Sequence, residues 1–364
     1  MAWTEKLPSG RYRGMFRAPD GRKRSVGTFD GKRAAQNAAT AAEVGAKNER
    51  PSSDLRWSEW EARWTPGRSV AAATLIEDGK RIERHVQPRW GEVKLEDIKR
   101  ADVQAWASQL TAGGLSASTV RKIVGVLSAS MRAALRLDVI AVNPCTDIEL
   151  PRIPPSPEHW LTDDEVDAVR GTLDESQRFC FELLLGTGLR WGEAVGLHWT
   201  HVDLDRRQIE VLWSFDRKSK TMKPPKSHQR RTVPIGDTLV EMLGARLDER
   251  GWGSPPDLPY LDMKRPAHGL VLATPGGTPP NGTSFALALA AAGKSAFVGE
   301  GERRRRVGNV RPHDLRHTFA SRLVQRGINI QAVSNLLGHS SLTVTTRYAS
   351  LGQSQFDAIR DVLG

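Results

Sequence analysis

The sequence has few cysteines and no long apolar run. Only two of its 364 residues are cysteine, Cys145 and Cys180, which is too few for a disulfide framework or a zinc knuckle. Both lie among apolar residues, which predicts small core side chains. No apolar stretch reaches the roughly 18 residues that a transmembrane helix needs, and the charged N-terminus carries no secretory signal. These absences predict a cytoplasmic protein that binds no metal.

Basic residues exceed acidic ones. The chain has 53 lysines and arginines against 42 aspartates and glutamates, a formal net charge of +11 at pH 7. Such a charge attracts polyanions, because contacts with phosphates release counterions and dominate the affinity for nucleic acids. Charge alone fits a nucleic-acid-binding protein and an ordinary basic protein equally well.

The first segment, residues 1–50, is strongly basic and has strand-like alternation. Runs on either side of a turn at residues 19–21 predict two strands, followed by a third short strand and an alanine-rich helix. Arginines at odd positions then share one face, opposite Tyr12 and Phe16. Such a sheet can lie in a DNA groove or be a solvated surface. The candidate DNA contacts are Arg11, Arg13, Arg17, Arg22, Lys23 and Arg24.

Residues 54–150 have helical periodicity. Trp57, Trp60 and Trp64 recur at three- and four-residue spacing, which is more typical of a core stripe than of a ligand site. A long amphipathic stretch begins after two serines, either of which can supply its N-cap. The segment is predicted to be a compact domain of four or five helices.

A proline-rich linker leads to a mixed third segment, residues 157–364. Thr162 precedes three acidic residues and is the predicted N-cap of a helix. Further predicted elements are a buried helix at 179–185, strands at 208–213 and 231–235, and helices continuing nearly to the C-terminus. The whole chain is predicted to be multidomain and mainly α-helical, with small β-sheets.

Three motifs in this segment carry side chains suited to phosphate chemistry. In the first, TGLRWGEAVGL, a glycine turn presents Arg190 at the start of a helix. An arginine there can bind a phosphate beside the free N–H groups of the helix N-terminus. It can equally well pair with Glu193 on the helix surface, and this motif alone leaves both alternatives open.

The second motif is HDLRH, in which His313 and Arg316 share a helix face. His313 and His317 also have the spacing of a zinc-binding helix, but that alternative needs a glutamate at Asp314 and a third ligand. In the third motif Gly338 ends a helix and leaves His339 at its exposed end, nine residues before Tyr348. A lone tyrosine is usually a packing residue.

Together these motifs resemble the catalytic residues of the tyrosine recombinase, or phage integrase, family. The family's pattern is an arginine in a TGLRxxEAxxL box, an HxxR pair, an LGH and a tyrosine shortly afterwards. It also has a lysine in the hairpin before a strand ending in TVP, a position that Lys226 matches better than Lys220 or Lys223. The resemblance identifies the middle segment as a helical core-binding domain and the first as an arm-type DNA-binding domain.

The resemblance implies a site-specific DNA integrase that needs no cofactor. Its nucleophile would be Tyr348, which forms a 3′-phosphotyrosyl bond and releases a 5′-hydroxyl, without ATP. The other implied roles are phosphate binding by Arg190, Arg316 and His339, proton acceptance by His313, proton donation by Lys226, and orientation of Arg190 by Glu193.

The implied partner is double-stranded DNA, bound at core and arm sites by a homotetramer in the nucleoid of a bacterial host. A host DNA-bending protein and a directionality factor are expected by analogy, and no membrane is involved. One alternative is a recombinase that resolves chromosome or plasmid dimers, and another is a DNA-binding regulator without catalysis. The basic first segment favours an integrase, and the complete residue set argues against the regulator.

Two further stretches have two interpretations each. The run Arg303–Arg306 either grips the DNA backbone or is a solvated, partly disordered charge run. The tail at residues 349–364 packs either on its own domain or on a neighbouring protomer.

Overall fold

The computed structural model of the protein describes residues 2–17, 23–48, 54–154, 159–225 and 230–338. The chain divides into two compact units, residues 1–154 and 155–364, and the division falls within the predicted proline-rich linker. Among the described residues, no helix combines the length and apolarity that crossing a bilayer requires.

The N-terminal part of the first unit is a three-stranded antiparallel sheet covered by one helix. Strands β1 (Ala2–Lys6), β2 (Tyr12–Arg17) and β3 (Lys23–Phe29) pair in that order, and they are followed by α1 (Lys32–Asn48). The predicted sheet and helix are confirmed, but the third strand precedes the other two instead of following them. Gly14 lets the helix approach closely, because a Cβ there would lie 2.6 Å from the carbonyl oxygen of Ala35.

Four helical stretches form the rest of the first unit. They are α2 (Trp57–Trp64), α3 (Ala72–Arg81) with its continuation through a π-helical turn into α4 (Gln87–Trp90), α5 (Arg100–Ala112) and α6 (Ala117–Arg136). The tryptophan stripe lies in their core as predicted, with Trp57 and Trp60 buried and Trp64 partly buried. The ring N–H groups of Trp57 and Trp60 both donate to Ser130, each at 3.0 Å. Of the two candidate caps, Ser116 is the N-cap of α6.

The second unit combines helices with short strands. Its helices are α7 (Asp163–Arg170), α8 (Glu175–Thr187), α9 (Trp191–Ala194), α10 (Asp237–Arg250), α11 (Gly282–Ser295), α12 (Pro312–Gln325) and α13 (Ile330–Leu337). Its strands are β4 (Val202–Asp203), β5 (Gln208–Val211), β6 (Ser214–Asp216), β7 (Thr221–Lys223), β8 (Arg231–Pro234), β9 (Phe297–Val298) and β10 (Arg305–Arg306). Strands β4, β5 and β8 form one antiparallel sheet in that order, while β6–β7 and β9–β10 are two-stranded.

Helix α8 runs through the hydrophobic core of this unit, where Phe181, Leu183 and Leu184 are fully buried. Thr162 is the N-cap of α7, as predicted. Just before it, the backbone N–H of Leu161 donates to the hydroxyl of Thr318 at 2.9 Å. This bond ties the beginning of the unit to α12.

The expectation that helices continue nearly to the C-terminus is wrong for two stretches. The described chain between α10 and α11 contains no helix, and it carries seven prolines, which lack the N–H that a helix needs. Strands β9 and β10 then interrupt the helices again. The strand predicted over residues 208–213 also ends earlier, at Val211.

Candidate active site

Gly188 turns the chain at the end of α8 and so places Arg190. It has a φ of +63°, and a Cβ there would lie 2.4 Å from Cδ1 of Phe319. The backbone conformation and the available space therefore both require glycine. Two residues later, Arg190 is the N-cap of α9, with 34% of its side chain exposed.

The helix after Arg190 is shorter than the motif suggests. Helix α9 is a single turn, and the backbone N–H of Arg190 already donates to Oε2 of Glu193 at 2.9 Å. This bond occupies the N–H of the N-cap residue itself. Phosphate binding by Arg190 beside the N–H groups of the first turn stays a prediction.

Glu193 lies between two guanidinium groups and is only 2% exposed. Its Oε1 accepts from Nη1 of Arg190 at 2.9 Å, and Arg231 donates to Oε1 and Oε2 at 3.1 and 2.6 Å. Burial alone would raise the pKa of this carboxyl, but the hydrogen bonds and charge of Arg231, followed by those of Arg190, outweigh it and hold the pKa below its usual value. Glu193 is therefore ionised at neutral pH.

Helix α12 carries His313 and Arg316 three residues apart, as the HxxR motif predicts. Arg316 is 2% exposed, and its guanidinium spans two helix ends. Its Nη1 donates to the carbonyl of Gly188 at 2.8 Å and its Nη2 to the carbonyl of Leu337 at 2.6 Å. One side chain therefore joins the end of α8 to the end of α13.

Side chains from several elements of the site meet at the end of α13. Gly338 ends the helix with a φ of +63°, as predicted. Three guanidinium groups, called here the arginine cluster, donate to three successive carbonyls at this end. The bonds run from Arg231 Nε to Leu336 at 2.7 Å, from Arg316 Nη2 to Leu337 at 2.6 Å, and from Arg190 Nη2 to Gly338 at 3.2 Å.

His313 is exposed on α12, and its ring centroid lies 4.6 Å from that of His317. Partial desolvation by neighbouring protein atoms is the largest influence on its pKa, followed by the charges of His317 and Arg316. The carboxylate of Asp314 opposes them, and Arg190 adds a smaller effect. The net result lowers the pKa of His313 to about 4, so the ring is neutral at pH 7 and can accept a proton.

In the DNA-free protein, His313 should therefore titrate at about 4, far below an ordinary histidine. The measurement is the pH dependence of its ring signals in NMR spectra of histidine-labelled protein, assigned with His313→Gln. Because the folded-state pKa lies below that of the unfolded chain, this group lowers stability as the pH falls from about 6.5. Titration near 6.5 in the folded protein would contradict this lowered pKa.

Residues 159–354, more than half of the chain, match the family model described as Phage integrase family. The chain belongs to this family. The recombinase is 30% identical over 275 residues to the tyrosine recombinase XerC-like protein of Caldanaerobacter subterraneus subsp. tengcongensis. The aligned region covers 70% of this chain and 67% of that protein. It is 28% identical over 273 residues to an integrase of Streptomyces ambofaciens, covering 72% of this chain and 67% of that one.

Solved integrases share the fold of the recombinase. The Tn1549 transposon integrase in complex with transposon right end DNA has a TM-score of 0.68 at 22% identity, covering 84% of this chain and 100% of that one. A lambda integrase dimer bound to a COC′ core site has a TM-score of 0.60 at 19% identity, covering 95% and 93%. Together with the family match, these similarities confirm a site-specific tyrosine recombinase with a mainly helical fold.

Several predicted site residues lie outside the described part of the recombinase. These are Arg22, Lys226, His339 and Tyr348. The described residues bring together Arg190, Glu193, His313 and Arg316, which come from two separate motifs of the sequence. Their catalytic roles stay predictions.

The basic residues of the N-terminal sheet lie on its surface. Arg13, Arg17 and Lys23 are exposed, and Arg17 and Lys23 are direct cross-strand neighbours. Arg11 also forms an ion pair with Asp30 at 2.7 Å. Arg24 is exposed as well but pairs with Phe16 in the register, so it belongs to the other face of the sheet. Contact of these residues with DNA stays a prediction.

The run Arg303–Arg306 is exposed to solvent throughout, as one of its two interpretations predicts, and it is part of a hairpin. Arg305 and Arg306 form strand β10, and Arg305 forms an ion pair with Glu165 at 2.8 Å. The guanidinium of Arg304 lies 4.5 Å from the ring centroid of Phe297. Contact of the hairpin with the DNA backbone stays a prediction.

Sequence reasoning missed Arg231, the third member of the arginine cluster. The signal was present in strand β8, where alternate residues Arg231 and Val233 both face the interior. An arginine on the buried face of a strand needs polar partners, a carboxylate above all, because an unpaired buried charge is very costly. That partner, Glu193, lies 38 residues earlier in the chain.

In the described residues, no group of three histidine, cysteine, aspartate or glutamate side chains is arranged to hold a metal ion. His313 and His317 are therefore without a third metal ligand in this part of the chain. The charges of Arg316 and Arg190 act on His313 and would repel a cation there.

Proposed function

We propose that this recombinase integrates a phage or other mobile DNA element, and excises it by the reverse reaction, through a 3′-phosphotyrosyl intermediate. The observation that carries the proposal is the convergence of Arg190 and Arg316 on the end of α13, with the neutral His313 beside them. The residue that follows this helix end is His339, and Tyr348 comes nine residues later. Phosphate-binding cations, a base and a nucleophile are thus supplied by one region of the chain.

The phosphoryl group is transferred from one ester to another. The oxygen of Tyr348 attacks phosphorus, the bond to the 5′-oxygen breaks, and the new ester conserves the bond energy for religation. Negative charge on the non-bridging oxygens needs fixed donors during attack. Arg190 and Arg316 supply guanidinium forks that match two oxygens, and His339 donates a further hydrogen bond. These cations supply the positive charge that other phosphoryl transferases obtain from metal ions.

Two protons must move in this reaction. A phenol has a pKa of about 10, so its proton has to leave during attack at neutral pH. His313 accepts it, because its lowered pKa keeps the ring neutral until the anionic phosphate arrives and raises its basicity. Lys226 gives a proton to the departing 5′-oxygen. Lys223, three residues earlier, is already engaged in an ion pair with Asp216, and this supports the choice of Lys226 as the proton donor.

The N-terminal sheet favours integration over dimer resolution. Its exposed basic residues Arg13, Arg17 and Lys23 form a surface suited to a DNA backbone outside the core site. The structural similarity to a lambda integrase dimer covers 95% of the chain and so extends into this sheet. The proposed partner is thus double-stranded DNA at core and arm sites, bound by a homotetramer with a host DNA-bending protein and a directionality factor.

A pairwise recombination assay in EDTA tests this function. One DNA carries the junction of the element that encodes the chain, and the other carries the uninterrupted host site. Recombination between these unlike sites, with a covalent protein–DNA adduct on a denaturing gel, is the expected result.

Other outcomes of the same assay identify the alternatives. Efficient exchange between two identical short sites, with none between unlike sites, would indicate that the protein resolves dimers and does not integrate DNA. Binding of both DNAs without an adduct would indicate a regulator. Activity that is lost in EDTA would indicate a metal-dependent nuclease.

A further inference from the structure

Three arginine side chains bind the end of α13. A helix leaves its last carbonyls without partners inside the helix, and its C-terminal end carries partial negative charge. Here the arginine cluster provides a separate guanidinium for each of three successive carbonyls. Two of these arginines also bind phosphate in the proposed function, but Arg231 has no such role.

The donors of Arg231 are directed at two elements. Both Nη atoms donate to the carboxylate of Glu193, at 3.1 and 2.6 Å, and Nε donates to the Leu336 carbonyl at 2.7 Å. The side chain therefore bridges α9 and α13 from strand β8. Gly338 completes the contact, since a Cβ there would lie 3.1 Å from Nη1 of Arg231.

We propose that Arg231 is a positioning residue, which fixes the end of α13 against Glu193 and thereby holds the following residue, His339, at the phosphate. This inference rests on the proposed function, in which His339 donates to that phosphate. His339 is joined directly to Gly338, and neighbouring Cα atoms are about 3.8 Å apart. A displacement of the helix end is therefore expected to change the rate through this histidine.

A lysine cannot reproduce this arrangement. Its single ammonium group can neutralise Glu193, but it lacks the planar fork that reaches the carboxylate and the Leu336 carbonyl together. Arg231→Lys thus keeps the buried charge pair and loosens the helix end. Misplacement of a catalytic group by about 1 Å can cost about 100-fold in rate.

The test compares Arg231→Lys with Arg246→Lys. Arg246 is a matched control because it is 8% exposed, against 9% for Arg231, and stacks on Phe179 from α10. With saturating DNA, we expect single-turnover cleavage by Arg231→Lys to fall about 10- to 100-fold at unchanged DNA affinity. Arg246→Lys should cleave at nearly the wild-type rate, and wild-type cleavage by Arg231→Lys would overturn the inference.

A double-mutant cycle with His339→Ala separates positioning from general loosening. If Arg231 acts through His339, Arg231→Lys should cost little further rate once the histidine is gone. Fully additive losses, or an His339→Ala variant that cleaves normally, would refute the proposed link. If Arg231→Lys does not fold, Arg231→Gln provides the same cycle, because its single amide group cannot reach the Glu193 carboxylate and the Leu336 carbonyl together.

Hydrogen exchange keeps this inference separate from the proposed function. Arg231→Lys should speed exchange in peptides covering α13, relative to wild type and Arg246→Lys, whether or not the protein cleaves DNA. Unchanged exchange there would refute the positioning role. Absence of any adduct in the wild type would instead refute the proposed function.

Discussion

Replacement of Tyr348 by phenylalanine should abolish the covalent protein–DNA adduct and leave DNA affinity within a few-fold. The change removes one oxygen, the atom that forms the bond to phosphorus, and the remaining ring offers no other nucleophile. Loss of a covalent nucleophile typically costs about 10⁶-fold in rate, so no adduct should appear during a gel assay. The measurement is a nicked suicide substrate resolved on a denaturing gel, with DNA binding measured in parallel.

The other two tyrosines of the chain are matched controls. The hydroxyl of Tyr260 is hydrogen-bonded to Nε2 of His198 at 2.9 Å, and burial raises its pKa, so it is a packing residue with an engaged phenol. Tyr12 belongs to strand β2 in the first unit. Tyr260→Phe and Tyr12→Phe should both retain the adduct. Its persistence in Tyr348→Phe would mean that the nucleophile has been assigned to the wrong residue.

Arg316→Lys should lower the single-turnover cleavage rate about 1000-fold, again with DNA affinity within a few-fold. Loss of one fixed donor to a developing oxyanion costs about 100- to 1000-fold, and here the fork that binds two oxygens is lost. The same guanidinium also joins the Gly188 and Leu337 carbonyls at 2.8 and 2.6 Å. A lysine ammonium cannot reach both carbonyls and a phosphate, so the geometry and the charge are both disturbed.

Arg322→Lys is the control for this variant, because Arg322 lies on the same helix, α12, and pairs with Asp163. It should cleave at nearly the wild-type rate, and thermal melting of both variants checks that they fold. Cleavage by Arg316→Lys within a few-fold of wild type would show that a point charge is sufficient. Binding of two phosphate oxygens by one guanidinium would then not be required for cleavage.

The features that sequence predicted well are determined by local interactions. Thr162 caps α7 through bonds within four residues, Gly338 ends α13 by its own backbone conformation, and His313 and Arg316 share a face by helix geometry. The short length of α9 was missed, although its box contains Gly192 and Gly196, which have low helix propensity.

The features that sequence did not predict depend on residues far apart in the chain. The Arg231–Glu193 ion pair joins strand β8 to α9 across 38 residues, and the Arg231–Leu336 bond spans 105 residues. No single motif contains both partners, so neither the spacing nor the residue type of one partner identifies the other. The same holds for Arg316, whose motif gave its helix face but not the two carbonyls that it joins.

The residues that bond to one another at this site are far apart in the sequence, and this limits how early in its synthesis the protein can become active. Arg190 and Gly338 are 148 residues apart, and Gly188 and Arg316 are 128 residues apart. A ribosome adds about 5–20 residues per second, so the first arginine is made several seconds or more before the carbonyl that it binds. A nascent chain that has not yet reached α13 contains the first unit and α8 but lacks the convergence point of the arginines. DNA-cleaving activity therefore cannot appear on the ribosome until that last described helix has been translated.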